Sequence, residues 1–152
     1  MRYASLVLVA LALAACSPDS PPASGAAGIV VSDAWAAATP HGSPVAAGYM
    51  TIANQTAADV RLVGGTSPAA ASVEIHRMNL VGGVMQMRPV VGGLAIARGA
   101  SVTLKPGGLH LMFIDLRQPL VEGQSVPVAL AFDNGTRVDA TLAIRAAGAH
   151  GH

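Results

Sequence analysis

From Ile29 to Ile144 the chain is cut into short β-prone segments separated by turn residues, and no stretch of it carries the apolar periodicity of a long amphipathic helix. The segments are Ile29–Ala36, Gly48–Ala53, Ala58–Val63, Ser72–Met78, Val84–Val90, Leu94–Ile96, Ser101–Leu104, Leu109–Leu116, Val126–Phe132 and Arg137–Ile144. The breaks between them are Gly64-Gly65, Gly82-Gly83, Gly92-Gly93, Lys105-Pro106-Gly107-Gly108 and Asp133-Asn134-Gly135, all residue types that turns use. Alternation is clearest at the end, where Val138, Ala140, Leu142 and Ile144 share one face and Arg137, Asp139 and Thr141 the other. Many short strands at this spacing imply an all-β sandwich or barrel. With 152 residues the expectation is one such domain, over residues 29–145.

The residues before it read differently. Met1-Arg2 gives one positive charge, and Tyr3 to Ala15 is an apolar run of signal-peptide length, too short to span a bilayer as a mature helix. It ends in Leu13-Ala14-Ala15-Cys16, a small-residue pair before a cysteine that resembles the lipobox of bacterial lipoproteins. Residues 1–15 are thus expected to be a cleaved signal peptide, and Cys16 to be lipidated and to anchor the protein to a membrane. Residues 16–28, rich in Pro, Ser, Gly and Ala, read as a flexible linker, and residues 146–152 as a short, loose, histidine-containing tail. Cys16 is the one cysteine, so the domain has no thiol or disulfide, which excludes thiol catalysis, iron–sulfur clusters and a cysteine-ligated copper centre.

Charge removes other classes. Charged residues are 11% of the chain and the formal net charge is +1, with Lys and Arg scattered singly, so there is no nucleic-acid footprint. No nucleophile elbow, H-E-x-x-H or paired-carboxylate pattern is present, and the chain is not expected to be an enzyme.

What remains is a set of histidines and methionines. His76-Arg77-Met78 and His110-Leu111-Met112 are two His-x-Met pairs, with Met85-Gln86-Met87 between them. Residues i and i+2 of a strand share a face, so each pair projects an imidazole beside a thioether, and Met85 projects with Met87. The connection Asn79–Gly83 is short enough to make a hairpin of the flanking strands, and Leu109–Leu116 need only lie alongside. Thioether sulfur is soft and neutral and prefers Cu(I), whereas zinc is usually held by imidazole, thiolate or carboxylate. Glu74 is the one carboxylate near His76, and none stands beside Met87 or His110, so the set favours Cu(I) over Zn(II). Against this, methionine is a common core filler and a lone strand histidine is usually structural. His41 reads as a solvated loop residue, Met50 as core, and His150 and His152 as weak chelators at most.

The runs Val73-Glu74-Ile75-His76, Gly83-Val84-Met85-Gln86-Met87-Arg88-Pro89-Val90 and Leu104-Lys105-Pro106-Gly107-Gly108-Leu109-His110-Leu111-Met112 resemble the PCuAC family of periplasmic copper chaperones, as do Asp33-Ala34-Trp35 and Ala46 to Ile52. The resemblance spans Gly28 to Ile144. It implies a cupredoxin-like, Greek-key β-sandwich and a Cu(I) site made by His76, Met87, His110 and Met112, with Met78 and Met85 as further candidates. It also implies a periplasmic, membrane-anchored protein that gives copper by ligand exchange to an acceptor, such as a cytochrome oxidase subunit or a thiol-bearing assembly factor. A carrier of this kind should place His110 and Met112 at a solvent-reachable rim. Two other readings predict different behaviour: a structural or adhesive β-sandwich lipoprotein whose methionines are core, and a small copper redox enzyme.

Overall fold

A computed structural model of the protein describes residues 24–26 and 28–148. Every regular element in it is a strand: β1 (Ser24–Ala26), β2 (Ile29–Ala37), β3 (Val45–Asn54), β4 (Val60–Thr66), β5 (Ala70–Val81), β6 (Val84–Pro89), β7 (Leu94–Ile96), β8 (Ser101–Leu104), β9 (Leu109–Leu116), β10 (Ser125–Phe132) and β11 (Arg137–Arg145). The hydrogen-bonded order is β1-β2-β11-β10-β4-β5-β9-β3-β8, and β2 also pairs with β3. That last pairing closes β2, β11, β10, β4, β5, β9 and β3 into a barrel, with β1, β6, β7 and β8 as additional strands on its walls. Closure satisfies backbone groups that an open sheet would leave at its edges. The all-β, single-domain expectation is met, and the strand bounds differ from those read in the sequence mostly at the ends.

Alternation fills the interior. β11 alternates exposed and buried along its whole length. Leu62, Leu111, Phe113, Leu130 and Leu142 pack with Ile29, Met50 and Ile52 in the core. Met50 is core and His41 an exposed turn residue, as expected.

Three local expectations are corrected. Gly64-Gly65 is not a turn but lies within β4, next to a bulge where Leu62 and Gly64 pair with Phe132 and Ala131 and Val63 is left over. Gly64 has φ +147° with the Val73 carbonyl close by, and a Cβ at Gly65 would meet the Ala129 carbonyl oxygen at 2.9 Å, so both sites are glycine for strand approach. The β5–β6 connection is tighter than Asn79–Gly83: Val81 pairs with Val84, and the turn is Gly82-Gly83 alone, both at positive φ. Ser24–Ala26, read as part of the linker, pairs antiparallel with β2. Cys16, His150 and His152 lie outside the described residues.

Candidate metal site

β5 is the middle strand of the wall that carries the candidate residues. It pairs with β9 from Ala70 to Arg77 and, on the other side, with β6 from His76 to Val81, so His76 and Arg77 are the residues flanked by both. The register sets His76 directly opposite His110, Glu74 opposite Met112, Met78 opposite Met87 and Leu80 opposite Met85. Directly opposed residues share a face, as do residues two apart on a strand. Glu74, His76, Met78, Met85, Met87, His110 and Met112 therefore all project from one face of β6-β5-β9, while Val73, Ile75, Leu111 and Phe113 fill the barrel interior.

The imidazoles are the centre of the arrangement. Their ring centroids are 6.1 Å apart and tilted by 46°. Met112 lies on one side of the pair along the strands, and Met78 and Met87 lie on the other. Neighbouring strands are about 4.8 Å apart, so in an ideal sheet Met78 is one strand closer to His110 than Met87 is. Met85 is farther along β6, toward the turn.

Hydrogen bonds prepare both rings. The Nδ1–H of His110 donates to the Gly108 carbonyl at 3.0 Å, and the same carbonyl accepts the Met78 amide at 3.1 Å. A carbonyl oxygen only accepts, so Nε2 of His110 holds the free lone pair. Burial pushes the His110 imidazole below the ordinary histidine range; the Gly108 bond opposes this, and the facing His76 adds to it. Nε2 of His76 lies 3.0 Å from Oε2 of Glu74, the one ion pair among the described residues if His76 is protonated. Nδ1 of His76 is buried and has no hydrogen-bond partner. Leaving a buried polar group unsatisfied costs about 1–3 kcal/mol, so such an atom calls for a role.

Burial divides the site, against the expectation of a rim at His110 and Met112. These two are 4% and 7% exposed, whereas Met87 and Met85 are 45% and 48% exposed. The reason is position. β9 is flanked by β5 and β3, and Ala47 of β3 stands opposite Met112. The same face continues along β3 to Tyr49, whose ring packs on Trp35 at 4.5 Å. Among the described residues β6 pairs with β5 alone, so its side chains meet solvent.

Among the described residues no three His, Cys, Asp or Glu side chains come together as a metal-binding group. A metal held at this wall would need the thioethers. The sequence singled out the histidines and methionines and noted Glu74 only as the nearest carboxylate. Its place behind His76 was signalled by the Glu-x-His spacing on a strand. The Gly108 carbonyl had no side-chain signal.

Fold and wall together define a closed β-barrel domain with a His–Met cluster on one face. Residues 29–144 match the family described as “Putative lipoprotein LpqE-like”. The Leifsonia xyli subsp. xyli protein Lxx21020, also named as a lipoprotein, is 32% identical over 141 residues, covering 90% of this chain and 84% of that one. The copper-bound PCuAC domain from PmoF2 has the same fold, with a TM-score of 0.69 and 22% identity over 84% of this chain and all of that one. The CuI-DR1885 solution structure from Deinococcus radiodurans superposes with a TM-score of 0.57 and 30% identity, covering 78% of each chain. The chain belongs to the LpqE-like family, and its fold is that of the solved PCuAC domains.

Proposed function

We propose that the protein is an extracytoplasmic Cu(I) carrier, anchored by lipid at Cys16, that holds one ion with His76, His110, Met112 and Met87 and passes it on by ligand exchange. The observation that carries this is the buried, unpartnered Nδ1 of His76, on a ring directly opposite His110 with thioethers on either side. The spacing supports a shared ion. With a metal–nitrogen bond of about 2.0 Å, an imidazole centroid lies about 3.2 Å from the metal, so two rings on one ion stand up to about 6.4 Å apart. The separation here is 6.1 Å. It fits a wide nitrogen–metal–nitrogen angle that leaves the flanks of the ion to thioether sulfur.

The donor set also matches the cargo. Two neutral imidazoles and two thioethers leave the single charge of Cu(I) intact, and soft sulfur favours that state. The DR1885 structure is named for CuI and the PmoF2 domain as copper-bound, which supports copper as the cargo. Met87 is the exchangeable ligand, because it is the exposed one and sits on the edge strand; Met78, facing it across the hairpin, stands ready to replace it. The acceptor is a second copper-binding protein outside the cytoplasm, and assembly of the copper centres of cytochrome oxidase is the role its resemblance to the PCuAC family suggests. Four protein ligands leave no open position for a substrate, which argues for carriage over catalysis.

The test is an anaerobic Cu(I) titration against a chromogenic competitor, beside H76A, M87A, H110A and M112A. One equivalent withheld by wild type, and weakened in each variant, is expected. No competition by wild type would leave a β-barrel protein whose methionines and histidines hold no copper.

A further inference from the structure

We infer that the two histidines bind the metal through different ring nitrogens, His76 through Nδ1 and His110 through Nε2, and that Glu74 is the positioning residue that enforces the first choice. This rests on the metal site proposed above and concerns which atoms make it.

His110 is settled by the Gly108 carbonyl, which takes the Nδ1 proton and leaves Nε2 as donor. His76 has the reverse arrangement. An ionised carboxylate can only accept, so the Glu74 contact at 3.0 Å places the His76 proton on Nε2 and the lone pair on Nδ1. That nitrogen is the buried one without a partner. The carboxylate also takes up some of the positive charge that a bound cation puts on the ring, which raises the basicity of the ligating nitrogen.

The difference has a geometric result. Nδ1 is bonded to the ring carbon nearest the backbone, whereas Nε2 is at the far end of the ring. An ion held by Nδ1 of His76 and Nε2 of His110 therefore sits closer to β5 than to β9. β5 is the strand between those that carry Met87 and Met112. A position over the middle strand shortens the reach to Met87, which would otherwise be two strands from His110. Glu74 thus acts on the thioether shell as well as on the ring beside it. Coordination by Nε2 of His76 would require breaking the Glu74 contact and would leave Nδ1 buried without use.

The experiment is long-range proton–nitrogen NMR on protein with 15N-labelled histidine, read without metal and with one equivalent of Ag(I), a diamagnetic stand-in for Cu(I). The apoprotein is expected to show the Nε2–H tautomer at His76 and the Nδ1–H tautomer at His110. Ag(I) is expected to shift Nδ1 of the first and Nε2 of the second far more than the other ring nitrogens. In E74Q the amide can donate or accept, so the His76 tautomer is no longer enforced; a mixture appears, and Ag(I) binding weakens about tenfold, within the range for lost outer partners of metal ligands. The E74Q unfolding midpoint should stay near wild type, which separates positioning from stability. Coordination of His76 through Nε2 would overturn the inference and leave the metal site standing. An E74Q protein with unchanged tautomer and affinity would remove Glu74 from the role. Ag(I) shifting neither histidine would mean that the site itself is wrong.

Discussion

β9 and β6 both bring candidate ligand side chains to the face that β5 shares with them, but they hold them differently. His110 and Met112 are part of the barrel wall, packed between β5 and β3, and ordered by contacts that the fold needs anyway. Met85 and Met87 sit on a strand paired on one side, closed by a two-glycine turn, with Leu80 and Val84 exposed nearby. A pre-organised half costs little to order when the ion arrives, and a loose half is easy to displace when an acceptor's ligand enters. A carrier requires both properties.

The largest expected contrast is between M112A and M87A. M112A should weaken Cu(I) binding about 100-fold or more, since a direct ligand should count for at least as much as the outer partners worth about 10–100-fold, and M87A by about tenfold, because Met78 faces it across the hairpin and can take its place. Only M112A should also unfold easily, losing about 2–5 kcal/mol as a buried methionine, whereas M87A should stay within about 0.5 kcal/mol of wild type. Denaturant curves of both apoproteins check this. Equal stability losses would erase the distinction between wall and edge.

Metal should protect the wall more than the hairpin needs. At free Ag(I) about 100 times the dissociation constant, wild type gains about 2.7 kcal/mol of stability, because the ion binds only the folded state. M87A at the same Ag(I) concentration should gain clearly less. A thermal shift absent in wild type would mean that this wall holds no soft metal ion.

A smaller effect is expected at the turn. Gly82 has φ +58°, and an alanine there adopts a left-handed conformation at a cost of about 1–2 kcal/mol. Because the hairpin projects beyond the barrel, G82A should speed hydrogen exchange in β6 and the end of β5 and leave β9 amides unchanged. Faster exchange in β9 as well would show that the two halves are one cooperative unit.

The smallest is the pH response of the apoprotein. Burial lowers the His110 pKa in the folded state, so below the ordinary histidine range the unfolded chain takes up the proton first. This contribution is fully present above that range and is lost as pH falls through it toward the folded value. H110Q should flatten that part of the stability profile.

Much of this was legible in the amino-acid order, because it depends on neighbours along the chain. Alternation located the strands, glycine pairs located most turns, and the two His-x-Met pairs put an imidazole and a thioether on one face wherever their strands went. Gly64-Gly65 misled for a physical reason: glycine serves close strand approach as well as turns, and which of the two applies depends on the chain across the sheet. Register is also non-local. That His76 meets His110, that Glu74 stands behind the first ring, and that Met87 is exposed while Met112 is buried all follow from which strands become neighbours and where they slide to rest. An all-β chain and the chemical kind of its candidate ligands could be read from residue order alone, since residue type and spacing are local properties. Which ring nitrogen of His76 lacks a partner, and which of the candidate side chains stay exposed, depend on the packing of the whole barrel, which sets strand order and burial together.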